Sequence, residues 1–260
     1  IHGVLKEPVL DLCALREYFT FQNIVSKRTL FKDVRIHHAL PWFVNSTPTA
    51  QKYEDCVERL RVLLKDVMQR YTFDSKTGGL LSSGLDASTI AAFAPKSYPT
   101  FTVGFNNHER FDESKLAADT AAHLGITNHQ HLLGPEALRE SLDDLTLALE
   151  EPRLSISYPD YYAYKLAADS GIKTLLTGTG GDEMFAGYPW KYEASTKEYL
   201  EAVQRLVPEH EHPEFFSEYV MQETRGYSPV EEFTSHYSYD TIRRRFNIDL
   251  HFGLSGQLIL

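Results

Sequence analysis

The chain has 260 residues, 42% hydrophobic and 24% charged, which suffices for one large domain or a main domain with a smaller appendage. Its net charge of −10 argues against nonspecific binding to nucleic acid or anionic membranes. No signal peptide is visible, and no apolar run approaches the roughly 18–20 residues of a membrane-crossing helix. Two cysteines, Cys13 and Cys56, without CxxC or metal-type spacing, read as buried thiols of a reducing, cytoplasmic setting.

In chain order, Leu10 to Phe21 predicts a helix with Leu12, Leu15, Tyr18 and Phe19 on one side. Asn23 to Pro48 has little periodicity and reads as a connector packed on the core. Tyr53, Val57, Leu60, Leu64, Val67 and Tyr71 recur at spacings of four and three, the apolar face of a second helix. Asp74 to Gly79 is turn-like, and Leu80-Leu81 is a short buried strand. It feeds the small-residue loop Ser82-Ser83-Gly84-Leu85-Asp86 and a helical apolar run from Ser88 to Ala94.

Pro99 to Phe105 predicts another strand. Phe111-Asp112-Glu113-Ser114 opens a helix that Gly125 closes near Leu124. Asn128 to Leu133 is a third strand, Leu138, Leu142, Leu145 and Leu149 mark a helix, and Pro159 begins another that Gly171 stops. Lys173 to Thr177 is a fourth strand, followed by Gly178-Thr179-Gly180-Gly181-Asp182-Glu183. Beyond Tyr192 the chain turns helical and aromatic. The alternation predicts an α/β fold, a parallel sheet with helices on both faces plus a helical C-terminal layer. Three segments follow: a connector over 1–50, an α/β core over 51–192 and a helical extension over 193–260.

Ligands of such sheets sit at the carboxyl ends of the strands. Two loops there, 82–86 and 178–183, are glycine-bearing and each carries an aspartate. A small-residue loop at a helix start offers backbone N–H groups to an anion. An aspartate inside it makes sense if a divalent cation lies between carboxylate and phosphate. Other candidates have simpler readings. Asp86 is a metal ligand or a helix N-cap, and Asp182 a ligand or a solvated loop acid. Glu183 reads as the partner of a nearby Arg or Lys. Asp112-Glu113-Ser114 reads as a helix cap, with a site-facing salt bridge as the alternative. His129 and His131 read as sheet-surface histidines, and His210-Glu211-His212 as a solvated turn. Tyr188, Trp190 and Lys191 either touch a bound substrate or pack, and the tyrosines at 158, 161, 162 and 164 pack a helix.

At its two loops the sequence resembles the asparagine synthase family of ATP-pyrophosphatases. The family's Ser-Gly-Gly-x-Asp-Ser stands here as Ser82-Ser83-Gly84-Leu85-Asp86-Ala87. Its second motif, Ser-Gly-Asp/Glu-Gly-x-Asp-Glu-x-Phe-x-Gly-Tyr, stands as Thr177-Gly178-Thr179-Gly180-Gly181-Asp182-Glu183-Met184-Phe185-Ala186-Gly187-Tyr188. Thr102-Val103-Gly104-Phe105, Phe111 to Ser114 and Leu124-Gly125-Ile126 resemble the segments between them. The resemblance covers roughly residues 15–192. It implies the adenine-nucleotide alpha-hydrolase-like (PP-loop) fold and formation of an amide through an acyl-adenylate, with release of pyrophosphate and AMP.

By the same resemblance, Ser82, Ser83, Gly84 and Ser88 hold the pyrophosphate part of ATP. Leu80, Val103, Thr177 and Gly178 line the adenine pocket, and Asp86 and Asp182 ligate magnesium. Small-molecule carboxylate and amine substrates are implied, aspartate and ammonia in the parent family. The ammonia comes from a glutaminase domain in cis or trans, and residues 10–40 resemble the linker after such a domain. A homodimer is compatible with the resemblance. The alternatives are a ligase for another amide, such as a β-lactam or macrolactam, and a non-catalytic nucleotide-binding module. A tRNA-modifying thiolase shares the first motif, but the acidic charge and the absence of catalytic-looking cysteines count against it.

Four departures bear on the chemistry. Ser83 replaces a glycine, at a cost of about 1–2 kcal/mol if that position needs positive φ. Ala87 replaces a phosphate-reaching hydroxyl. Thr179 replaces an acid that is a candidate to bind or deprotonate the amine. The tail from Phe246 to Leu260 resembles the segment before the family's Lys-Met-Ser-Met and Glu-x-Arg-x-Pro-Phe stretch. With Ile1 at the start, the expectation is a piece of a longer enzyme.

Overall fold

The computed structural model describes residues 7–35, 51–71, 73–106, 110, 112–149, 157–204, 206–236, 245 and 248. Residues 36–50 of the expected connector, Phe111, and the tail apart from Ile248 lie outside these. Two compact units form: a sheet unit of 47–148 and 155–179, and a helical unit of 1–46, 149–154 and 180–260.

The sheet unit contains α2 (Tyr53–Arg70), β1 (Thr77–Leu80), α3 (Leu85–Phe93), β2 (Thr100–Phe105), α4 (Ser114–Leu124), β3 (Asn128–Leu133), α5 (Ala137–Leu149), α6 (Ser157–Asp169) and β4 (Thr174–Leu176). The strands form one parallel sheet in the order β3-β2-β1-β4. Successive strand residues point to opposite faces, and Leu80 and Leu81 show it. Leu81 packs with Ala87 and Ala91 of α3, Ala117 and Ala121 of α4, and Ile126. Leu80 packs with Phe101, Ile172 and Ala167 of α6. Helices therefore cover both faces, as the alternation predicts.

The expected turn at Asp74 to Gly79 ends early, because Gly78 and Gly79 belong to β1 and the strand stops at Leu80. The two glycines are in the strand because side chains fill the space beside them. A Cβ on Gly79 would lie 2.1 Å from Tyr98 Oη, and one on Gly78 2.9 Å from Phe101 Cε2. The periodic helix at 53–70 forms, but of its residues only Met68 is buried; Tyr53, Val57, Leu60 and Val67 are exposed. Cys56 is exposed and Cys13 half-buried, so the expectation of two buried thiols is corrected.

The helical unit holds α1 (Leu12–Phe21) and, after the second loop, α7 (Gly181–Phe185), α8 (Pro189–Glu193), α9 (Thr196–Val203), α10 (His212–Phe215), α11 (Glu218–Glu223) and α12 (Pro229–His236). Asp11 caps α1 by accepting from the Cys13 and Ala14 N–H groups at 3.0 and 3.1 Å. Phe21 stacks on Phe233 of α12 in a cluster with Val25, Tyr199 and Ile248. Of the expected Leu12, Leu15, Tyr18 and Phe19 side of α1, Tyr18 is buried and the other three are half-buried, and the buried side also includes Arg16, Glu17 and Thr20.

These polar groups are buried because distant residues satisfy them. Arg16 donates to His212 Nδ1 at 3.1 Å, to Thr224 Oγ1 at 3.0 Å and to the Tyr227 carbonyl at 2.8 Å. Glu17 accepts from the Val25 and Ser26 N–H groups and the Tyr227 hydroxyl, at 2.7, 2.9 and 2.6 Å. The expectation of a solvated turn at 210–212 fails at His212, which is fully buried in this network.

Candidate nucleotide site

Since β1 and β4 are parallel neighbours, their carboxyl ends lie at the same edge of the sheet. Each passes directly into one of the two motif loops. After β1, Leu81 enters the core and the chain turns through Ser82 and Ser83 to Gly84, the N-cap of α3. Asp86 is therefore not the N-cap; it lies half-buried in the first helical turn. After β4, Thr177 and Gly178 come against that turn. A Cβ on Gly178 would sit 2.5 Å from the Ala87 nitrogen and 2.9 Å from Asp86 Cβ. Only a glycine lets the two backbones approach so closely, and this contact brings Thr177 and Gly178 to Asp86.

The first loop is tied by its own hydrogen bonds. The Gly84 N–H donates to Ser82 Oγ at 3.1 Å, and Ser88 Oγ donates to the Gly84 carbonyl at 2.8 Å. The Ser83 N–H donates to Glu113 Oε2 at 3.1 Å. Neither residue 83 nor residue 84 has positive φ, so Ser83 fits without the strain expected if that position required a glycine. Ala87 is buried among Leu81, Ala91 and Ala117, so the replaced hydroxyl position belongs to the core.

The Asp112-Glu113-Ser114 motif divides its work. Asp112 accepts from the Ser114 N–H and hydroxyl at 3.1 and 2.9 Å, and from the Phe105 N–H at 3.3 Å. Slight burial disfavours the charge, but the Ser114 and Phe105 donors outweigh it and hold the carboxyl below its usual range. Glu113 faces the loop through the Ser83 N–H rather than through a salt bridge. Val103 points to the same face of the sheet as Phe101 and Leu80, the face that α6 covers.

In the second loop, Thr179 and Thr177 share a hydrogen bond between hydroxyls at 2.7 Å, and the Thr179 N–H donates to Thr177 Oγ1 at 3.2 Å. Asp182 lies exposed in the first turn of α7, in the helical unit, where Gly180 caps the helix with φ of 97°. A Cβ on Gly187 would sit 1.9 Å from Asp182 Oδ1, so glycine there leaves room for that carboxylate. Glu183 is buried and accepts from the Tyr188 hydroxyl at 2.8 Å, not from the expected Arg or Lys. The Lys191 ammonium sits 4.2 Å from the Tyr188 ring centroid.

Asp160, in the first turn of α6, was not singled out by sequence; burial pushes its carboxyl up to about 6. Tyr158 beside it meets Phe105 at the carboxyl end of β2. His129 stacks on Phe101 and His131 on Tyr162. No group of three metal-ligating side chains is preassembled among the described residues. Asp86 and Asp182 are carboxylates in the first turns of helices, an oxygen donor type that suits magnesium.

The topology and the paired loops define a parallel α/β protein with a glycine-bearing loop after each of two neighbouring strands. The chain belongs to the asparagine synthase family, whose model matches residues 59–254. Among its relatives, a glutamine-hydrolysing asparagine synthetase of Bacillus subtilis is 28% identical over 198 residues. A putative glutamine-hydrolysing asparagine synthetase of Mycobacterium tuberculosis is 26% identical over 202 residues. Each match covers 69% of this chain and 31% of the relative, so the chain spans about a third of the length of these curated relatives. An amidase of Penicillium rubens, chyE, is 31% identical over 158 residues, covering 54% of this chain and 24% of that protein. Among solved structures, an ammonia-dependent NAD synthetase of Campylobacter jejuni superposes with a TM-score of 0.33 at 12% identity, covering 70% of this chain and 82% of that one. No described helix is long and apolar enough to cross a membrane.

Proposed function

We propose that the chain is the ATP-pyrophosphatase part of an amide ligase. A substrate carboxylate attacks the α-phosphorus of ATP, pyrophosphate leaves, and an amine then attacks the acyl carbon and expels AMP. The observation that carries this reading is the approach of Gly178 to Asp86 and Ala87, which brings the start of the second family loop beside the first at one edge of the sheet. Ser82, Ser83, Gly84 and Ser88 then belong to the pyrophosphate side. Leu80, Val103, Thr177 and Gly178 belong to the adenine side. Magnesium, with Asp86 and Asp182 as its proposed ligands, would neutralise charge on the departing pyrophosphate. Asparagine formation from aspartate is the first choice, with ammonia supplied by a glutaminase domain in cis or trans.

A second reading, a ligase for a different amide, is favoured at one position. Thr179 stands where an amine-binding acid is expected, and its hydroxyl is engaged by Thr177. A threonine does not act as a base at neutral pH. The test is pyrophosphate release by the full-length protein with ATP, magnesium and a panel of acids and amines. Activity confined to aspartate plus ammonium removes the second reading. Asp86→Asn is expected to lower turnover about a hundredfold or more. Turnover unchanged by Asp86→Asn would remove this residue from the site, and no turnover with any acid would favour a non-catalytic nucleotide-binding module.

A further inference from the structure

A loop that only cradles an anion has no need of a carboxylate on one of its own donors. Yet the Ser83 N–H, at the centre of the first motif, is bonded to Glu113 Oε2 at 3.1 Å. Glu113 is held there by its neighbour. Asp112 ties the start of α4 to the end of β2 through the Phe105 N–H at 3.3 Å, and to Ser114 at 3.1 and 2.9 Å. Gly104 makes that anchorage fit, since a Cβ on it would lie 2.3 Å from Asp112 Oδ1. Both Ser83 and Glu113 are exposed, so an incoming ligand can reach the bond.

A carboxylate oxygen and a phosphate oxygen compete for an N–H group of this kind. A polyphosphate approaching Ser83 meets the charge of Glu113. Like charges at short range oppose its entry, and a divalent cation between them reverses the sign of the interaction.

We propose that Glu113 is a carboxylate plug on the nucleotide loop, occupying the Ser83 N–H so that the loop admits a polyphosphate complexed with a divalent cation and resists the free anion. This rests on the pyrophosphate-binding part of the function proposed above for the loop. The plug gives way when cation-bound phosphate takes the N–H, and it returns when pyrophosphate leaves.

The test titrates inorganic pyrophosphate and ATP, each in EDTA and in magnesium, into the full-length protein and its Glu113→Gln and Glu113→Ala variants by calorimetry. The expected result is about tenfold or greater tightening of both ligands in EDTA for both variants, the range of a hydrogen bond to a charged group. The affinity ratio between magnesium and EDTA shrinks accordingly. Glu113→Gln keeps the side chain's size, so it isolates the charge. Variants that bind no tighter than wild type in EDTA, or more weakly in both conditions, overturn the plug and mark Glu113 as a structural prop. If wild type binds no ATP in magnesium while the variants still gain pyrophosphate affinity in EDTA, the nucleotide reading falls and the plug stands. If wild type binds ATP in magnesium but the variants match it in every condition, the plug falls and the nucleotide reading stands.

Discussion

At Gly178 a hydrogen stands where any side chain would collide with the first turn of α3, 2.5 Å from the Ala87 nitrogen. Gly178→Ala should push the two loops apart. A cost on the order of 1–3 kcal/mol is expected from overpacking at a rigid backbone contact, together with loss of ATP-dependent pyrophosphate release. Urea unfolding midpoints and a pyrophosphate assay check both effects. The motif spacing singles out Gly178, but the reason a glycine stands there, a backbone contact across two loops, is tertiary. Ser83 shows the opposite case. Its replacement of a glycine reads as strain in sequence, but φ is not positive there, so the added Cβ meets no conformational penalty. Ala87 reads as a lost phosphate ligand and is a core residue. Periodicity cannot separate these outcomes, because the first turn of a helix presents both a ligand face and a core face.

Among the elements, α1 and α2 depart furthest from the polarity expected of them. The buried Arg16 and Glu17 of α1 are explained by donors and acceptors that arrive from about two hundred residues downstream. His212 is the most exacting of these partners. Arg16 donates to Nδ1, so the neutral ring carries its proton on Nε2, 3.1 Å from Thr20 Oγ1. Burial first, and then the Arg16 charge, push the imidazole down to about 4 from an ordinary 6.5. Between those values the unfolded chain binds a proton that the folded chain refuses. The contribution of His212 is therefore full above about pH 6.5 and falls as pH drops toward 4, by up to about 3 kcal/mol. Denaturant unfolding of wild type and His212→Gln across that window reads the slope as a difference. That difference sets aside Glu17, whose carboxyl burial pushes upward.

The helix α2 is expected to behave differently from α4. Only Met68 is buried along its eighteen residues, whereas Ser114, Ala117 and Ala121 of α4 are buried. Amides of α2 should exchange with solvent faster than those of α4 under native conditions, since fewer buried contacts oppose local opening. Hydrogen exchange by mass spectrometry checks the order; equal protection would contradict it.

Over the whole molecule, charge and topology have separate consequences. With a net charge of −10, the protein repels a triphosphate during its approach even when the site itself holds a cation. Raising ionic strength from about 10 to 150 mM shortens the screening length from about 30 to 8 Å. Association of a fluorescent magnesium-nucleotide should therefore accelerate in stopped-flow measurements, and a slowing would point to a locally positive entrance.

Most of the strand and helix sequence was readable from periodicity, glycine stops and the two motifs, because those signals depend on neighbours within a few residues. The family and its loops were legible for the same reason: Ser82 to Asp86 and Thr177 to Asp182 are contiguous runs. The interleaving of the two units was not legible. Compositional segments run along the chain, while contacts join residues 1–46 to 180–260. Nor could sequence order give the strand order β3-β2-β1-β4, which sets β1 beside β4 and so joins loops almost a hundred residues apart. Local chemistry picked out the residues proposed to bind an anion and a cation. Tertiary packing alone decided that Gly178 meets Asp86, that Glu113 holds the Ser83 N–H and that His212 is buried, because each depends on a partner that no local pattern encodes.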